Sequence, residues 1–290
     1  MLMSKIKQIV KLVLSKVFTH FRIKSSTNML WNRVGVSPLI LHDIPSDQIN
    51  HFKRLLVSLM SEWDFIDPEN FVSFIKGNST LEKSCKMLTF DDGFYSNYII
   101  AKEVLKPLGI KAIFFVPTEF IDSKHKELQQ NFIKQNICLG EFSPNLNIDN
   151  MKPMSWENLS ELIEMGHTIG CHSKNHLKLS KVVKEGVLKD EIISSGNRIE
   201  EMLKVKVEHF AYPFGDIDSI NKKALDLIRK QYKYVYSGVR GQNRYGTSPF
   251  VLRRESLDIG DSHEYNSFIV NGGLSLFYWR ARRQLDAMVV

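Results

Sequence analysis

Short apolar runs, each closed by polar or turn-forming residues and followed by a helical period, recur along most of this 290-residue chain. That alternation limits the possible folds more than any other feature. Strands separated by helices pair in parallel, because a parallel crossover needs far more chain than a hairpin. The runs at 37–42, 86–90, 113–116, 168–171, 209–212, 234–237 and 251–252 read as strands. Helical periodicity occupies 49–62, 96–107, 156–164, 181–204 and 221–230, with Phe52, Leu55, Leu56 and Leu59 on one side of the first. The expected class is α/β, parallel βα units open or closed into a barrel, with chemistry at the carboxyl ends of the strands. The stretch 121–153 lacks clean periodicity, contains Pro144 and Pro153, and reads as an insertion.

Charge is unevenly placed. The chain has 39 Lys+Arg against 32 Asp+Glu, a formal net charge of +7. Residues 1–24 hold six of the basic residues (Lys5, Lys7, Lys11, Lys16, Arg22, Lys24) and no acidic one, which leaves 33 against 32 elsewhere. A nucleic-acid binder carries its basic stripe on the folded domain, so no nucleic-acid partner is expected. Ile6, Val10, Val13, Val17 and Phe21 share one helical face, so 1–30 reads as a basic amphipathic helix. Two readings of it stand: peripheral contact with an anionic membrane surface through 1–24, or packing on its own domain. Its lysines interrupt what would be the apolar core of a signal peptide. Three dispersed cysteines give no disulfide framework. The expected location is the cytoplasm, with the inner membrane face as the site of any peripheral contact. Residues 266–290, with Phe277-Tyr278-Trp279-Arg280, read as a basic and aromatic tail.

Three segments carry chemistry. Asp91 and Asp92 end an apolar strand; adjacent carboxylates make sense where one binds a cation and the other stays available as a base, and an Asp-Gly turn is the plainer alternative. His172 and His176 follow another strand; with one carboxylate they form a two-His, one-Asp set with open coordination positions, or else they are an exposed loop pair. The run 210–215 breaks sharply at Pro213 and Gly215, a geometry that can aim a backbone N–H at a developing oxyanion.

Together these segments are specific. Thr-Phe-Asp-Asp-Gly at 89–93, His-Ser-Lys-Asn-His at 172–176 and Tyr-Pro-Phe-Gly at 212–215 occur in the order seen in the polysaccharide deacetylases. Phe114-Phe115-Val116-Pro117, Trp156, Gly166-His167 and Asp190-Glu191-Ile192 fall between them in the same order. The chain therefore resembles the NodB-homology, or carbohydrate esterase family four, domain, with 36–265 as the catalytic unit. The resemblance implies a distorted (β/α) barrel and removal of acetyl groups, mostly N-acetyl, from a sugar or glycan. It implies Asp91 as general base, and Asp92, His172 and His176 as ligands of a divalent metal. Zinc is the first expectation for that metal, and Co, Ni, Mn or Fe also suit such a set.

Two departures from the family pattern bear on the site. Ala211 stands where many members have an arginine that orients the base, and Arg254 is the replacement candidate ahead of Arg253. The Leu-x-His motif that often supplies the general acid is missing near 255–262, so that role is unassigned. Phe214 is expected to offer its N–H to the oxyanion. Tyr212, Pro213, Phe94, Tyr95 and His42 are expected to meet substrate. The expected partner is an acetylated glycan of cell-surface polysaccharide synthesis, lipid-linked in the reading that uses the N-terminal helix. A different C–N amidase on the same scaffold, and a non-catalytic carbohydrate-binding protein, are the alternatives.

Overall fold

The computed structural model describes residues 34–140 and 148–289. The expected helix at 1–30, and with it the membrane contact through 1–24, lies outside the described residues. Strand β1 (Val36–Leu41) pairs in parallel with β3 (Cys85–Phe90), position by position from Val36 opposite Cys85 to Leu41 opposite Phe90. Next come β4 (Ala112–Val116), β5 (Thr168–Cys171), β6 (His209–Ala211) and β7 (Tyr234–Tyr236), each parallel to its neighbour. The short β2 (Asp64–Phe65) pairs with the start of β3, and β8 (Glu255–Ser256) with β1. Leu252 bridges to Tyr236 of β7 just before β8 pairs with β1. One short segment thus touches both edges of the sheet and curls it into a distorted (β/α) barrel, which leaves neither edge strand unpaired along its length.

Period-two alternation divides the strands between two cores. Cys85 and Met87 of β3 join Ile113, Phe115, Ala211, Tyr234 and Tyr236 inside the barrel. Leu88 and Phe90 face the surrounding helices. Helix α1 (Ile49–Met60) buries Phe52, Leu55, Leu56 and Leu59 against that outer face, where Phe52 meets Phe90 edge-on and Phe90 stacks on Phe114 at 4.9 Å. Helix α2 (Pro68–Lys76), which the sequence reading passed over, closes one end of the barrel with Phe71, Phe74 and Ile75.

The other helices refine the expected pattern. Helix α3 (Tyr95–Ile100) runs on through a π-turn at Ala101–Leu105. The short α4 (Thr118–Asp122) follows β4. Residues 121–153 are not simply irregular: α5 (Lys126–Phe132) continues into a π-turn at Ile133–Ile137, and Phe132 and Ile133 pack with Phe94 and Phe120. Helix α6 (Trp156–Glu164) starts at a Ser155 capping box. The charged helix expected from 181 begins at α7 (Glu185–Lys189), passes through a π-turn at Asp190–Ser194 and ends as α8 (Ser195–Leu203). Helix α9 (Lys222–Ile228) is capped by Asn221. Residues 266–290, read as a tail, contribute most of α10 (His263–Val270) and all of α11 (Trp279–Ala287); Phe268, Ile269 and Leu285 are buried on the domain. Both segments are too short to show a clear period, and tertiary burial settles them.

Two imidazoles in this frame carry an acid sensitivity. His209 stacks on Tyr234 and its Nδ1 lies 3.0 Å from the Tyr236 hydroxyl; His167 accepts the Ala112 N–H at Nδ1. Burial pulls both down to about 4. Their unfolded pKa is about 6.5, so each contributes stability present above pH 6.5 and lost as the pH falls toward 4, on the order of 3 kcal/mol apiece. Urea unfolding between pH 7 and pH 4 is expected to show this loss, and His209→Phe to recover about half of it. An identical pH slope in the variant would sink the assignment.

Candidate metal centre and catalytic cleft

The parallel register gathers the carboxyl ends of β1, β3, β4, β5 and β6 at one end of the barrel. Leu41 pairs with Phe90, so His42 and Asp91 are the next residues of neighbouring strands, joined by the Asp91 N–H donated to the Leu41 carbonyl at 2.9 Å. Val116 pairs with Cys171, and the His172 N–H donates to the Val116 carbonyl at 3.0 Å. Cys171 pairs with Phe210, which sets the 212–215 turn beside His172. Backbone strain collects here. Among the described residues six non-glycines have positive φ, and four of them are Asp92 (72°), Ser173 (65°), His176 (56°) and Phe214 (65°). Left-handed backbone at such residues persists only where surrounding contacts enforce it, and it concentrates at functional sites.

Asp92, His172 and His176 are buried with their ligating atoms within 4.8 Å of one another. The Asp92 Oδ1 lies 3.4 Å from His172 Nε2 and 3.2 Å from His176 Nε2. The opposite ring nitrogens face backbone carbonyls, Ala211 O at 2.7 Å from His172 Nδ1 and Asn136 O at 2.8 Å from His176 Nδ1. A carbonyl only accepts, so each Nδ1 carries the proton. In the neutral rings both Nε2 lone pairs then converge on a carboxylate oxygen, an arrangement that calls for a cation among them. The electrostatics agree. Burial alone would raise Asp92, yet the two histidines hold it well below the usual carboxylate range. Burial alone would lower His176, and the Asp92 carboxylate overrides it upward. Two imidazoles and one carboxylate with second hydrogen bonds in place fit a divalent metal.

Asp91 sits beside this set, its Oδ2 3.9 Å from His172 Nε2. Arg254 grips it in a fork, Nη1 to Oδ1 at 2.7 Å and Nη2 to Oδ2 at 2.8 Å. The guanidinium is fully enclosed: it also donates to the Ser237 carbonyl and the Thr89 hydroxyl, and it lies 5.2 Å from the Phe115 ring centroid. Burial would raise the Asp91 carboxyl, but Arg254 and then His172 outweigh it and hold the group ionised below its ordinary value. Arg253 turns the other way, to Asp286.

These groups open into a cleft of about 680 Å³. Its lining includes His42, Phe94, Phe214, Arg254 and the three ligating residues. The Phe214 N–H has no hydrogen-bond partner among the described residues, and the Phe214 ring meets His176 edge-on at 4.7 Å. The turn is tight: a Cβ on Gly215 would come within 2.5 Å of the Gly238 nitrogen.

Residues 78–235, more than half of the chain, match the family profile described as polysaccharide deacetylase. The chain belongs to the polysaccharide deacetylase family. It is 24% identical over 144 residues to the putative polysaccharide deacetylase YxkH of Bacillus subtilis (strain 168), a match spanning 50% of this chain and 42% of that relative. The chain thus accounts for less than half the length of the curated relative it matches. IcaB from Ammonifex degensii superposes with a TM-score of 0.63 at 21% identity, over 83% of this chain and 97% of that one. The Streptococcus pyogenes deacetylase PplD, solved in complex with acetate, gives 0.62 at 19% identity, over 82% and 98%. At these identities the likeness concerns the fold.

In this member of the family, three of the residues expected to meet substrate lie outside the cleft lining. Tyr212 is buried between the sheet and the helices, and Pro213 is buried beside it; neither lines the cleft. Phe210 packs in the outer core and Ala211 inside the barrel, so alternation carries Tyr212 to the outer core with Phe210. Tyr95 lines an adjoining pocket instead, under the Lys152 ammonium at 4.1 Å. Ser173 organises its loop by accepting the His176 N–H. Cys171 is buried against Ser195, and burial pushes its thiol up to about 11, so it is inert. The sequence reading also missed Arg240, Cys138, Met151 and Tyr278, all of which line the cleft. Arg240 is held by Glu255 and the Ser256 carbonyl, with the Tyr278 ring 5.9 Å away. None of the four lies in a motif; only the third dimension gathers them.

Proposed function

We propose that this chain hydrolyses acetyl groups, N-acetyl foremost, from an acetylated polysaccharide, with a divalent metal held by Asp92, His172 and His176. The observation that carries the reading is the convergence of three ligand atoms beside an ionised, Arg-clamped Asp91 in an open cleft. When bound, the metal supplies Lewis acidity toward water and the acetyl carbonyl. Asp91 accepts the proton of the attacking water, and Arg254 keeps it charged and aimed while it waits. The Phe214 N–H donates to the carbonyl oxygen as negative charge develops there. Collapse breaks the C–N bond, and the departing nitrogen needs a proton.

His42 is the group placed to give it. It is solvent-exposed, lines the cleft, follows the strand paired with that of Asp91, and lies close enough for its charge to act on both Asp91 and Asp92. The other titratable side chains lining the cleft are His172 and His176, whose Nε2 atoms face Asp92, the ion-paired Arg254 and Arg240, the carboxylates Asp43, Asp91, Asp92, Asp216 and Asp258, the Cys138 thiol and the Tyr278 phenol. The products are acetate and a free amine. Zinc is the first metal to test, with Co, Ni, Mn and Fe as the alternatives.

The deciding experiment measures acetate release from N- and O-acetylated oligosaccharides, with chelator and with metal restored. Release is expected to vanish with chelator and return with metal. His42→Gln is expected to lower it by about 10²–10⁴-fold on amides, and by less on esters, whose alkoxide leaves without prior protonation. No acetate from either series with metal bound would overturn the reading.

In this reading the substrate is a lipid-linked glycan of cell-surface polysaccharide synthesis, met at the cytoplasmic membrane face. Two features support this: the basic composition of residues 1–24, and the exposed Phe277 (74%), Trp279 (48%) and Arg280 flanking the cleft residue Tyr278. Vesicle sedimentation that fails to favour the full chain over one lacking residues 1–24 would remove the N-terminal contact.

A further inference from the structure

His176 is the most heavily braced of the three metal-ligating residues, and the brace comes from outside the motif. Its backbone is left-handed, at φ 56°, so the loop does not hold the ring in place by preference. Its Nδ1–H is taken by the main-chain carbonyl of Asn136, in the π-turn that continues α5. The Asn136 side chain donates Nδ2–H to the carbonyl of Asn175, the residue before His176, at 2.7 Å. Asn175 is fixed in turn by Glu191: its backbone N–H donates to Oε2 at 2.9 Å and its Nδ2–H to Oε1 at 2.7 Å. Glu191 is 1% exposed, in the π-turn Asp190–Ser194, and no salt bridge reaches it among the described residues.

A buried carboxylate is tolerated only when its oxygens are hydrogen-bonded. Here both oxygens are satisfied by the two N–H groups of one asparagine, so Asn175 has a single permitted orientation. A π-turn inserts one residue into a helix and re-aims the side chains beyond it, and such turns recur at functional sites. Two of them meet on one histidine.

We propose that Glu191 and Asn136 are positioning residues that set the metal affinity of the site through His176, with α5 and its π-turn acting as the brace. The inference rests on the metal reading above. Glu191→Gln turns an amide N–H toward the Asn175 donors and loses one of the two bonds. Asn136→Ala removes the tie to the Asn175 carbonyl and frees the Asn136 main chain to drift from His176. Asn136 is only partly buried, so this second variant keeps the test open where Glu191→Gln fails to fold.

The test is competition for Zn(II) between the full-length protein and a chromophoric chelator, with the visible spectrum of the Co(II) form as second readout. Outer hydrogen-bond partners of metal-binding histidines are worth about 10–100-fold in affinity. A loss in that range for Glu191→Gln, a loss of about tenfold for Asn136→Ala, and altered Co(II) bands in both are the expected results. Wild-type affinity and spectra in both variants would overturn the brace alone. A wild-type protein that takes up no stoichiometric Zn(II) would overturn it together with the metal reading.

Discussion

Arg254→Met is expected to lower folding stability by about 3–5 kcal/mol, the range seen when one partner of a buried ion pair is removed. The guanidinium is 1% exposed and makes four hydrogen bonds, two of them to Asp91. Methionine fills much of the volume against Phe115 and Tyr236 but leaves the Asp91 carboxylate buried without its counter-charge. The pH dependence separates this from simple loss of packing. In the wild type the depressed Asp91 carboxyl contributes stability above its unfolded pKa of about 3.9 and loses it as the pH falls through the lower folded value. In the variant burial acts with no arginine to oppose it, so protonating Asp91 relieves the strain. The stability gap between the two proteins should therefore narrow on acidification. The double variant Arg254→Met, Asp91→Asn is expected to recover part of the loss at pH 7. Chemical denaturation at several pH values checks all three points, and a loss below about 1 kcal/mol would mean that the pair is effectively solvated.

The pair also shows what the sequence could and could not disclose. Strand ends and the clustering of Asp92, His172 and His176 are legible, because parallel βα folding places contiguous residues such as Asp91-Asp92 and His172–His176 at one end of the sheet. Arg254 reaches Asp91 across 163 positions, and its neighbours Arg253 and Glu255 give the run the look of a charged surface strip. Pairing is what buries it. The strand expected at 251–252 is a single bridge at Leu252, and the paired residues are the polar Glu255 and Ser256, which hydropathy would not choose. The brace on His176 was hidden for a different reason. It is built from a main-chain carbonyl in a π-turn, and a carbonyl has no sequence signature. Tyr212 shares the outer face with Phe210, and the run 209–212 does not disclose this because it carries no apolar–polar alternation to mark its two faces.

Asp91→Asn is expected to reduce kcat for acetate release by about 10²–10⁴-fold while metal binding survives. The proposed ligand atoms belong to Asp92, His172 and His176, and none of them is lost. The removed function is proton acceptance: an amide oxygen can still take one Arg254 N–H, but it cannot take a proton from water at neutral pH. The amide NH₂ then faces the second guanidinium N–H, so a stability cost of about 1–3 kcal/mol accompanies the loss of rate. KM should change little, because the carboxylate acts on water and not on the sugar. Measuring kcat alongside Zn(II) competition distinguishes the roles. A variant that holds metal yet does not turn over places Asp91 at the proton-transfer step. A variant that holds metal and turns over at the wild-type rate would leave Asp91 as nothing more than the anchor for Arg254, and the base would have to be sought elsewhere in the cleft.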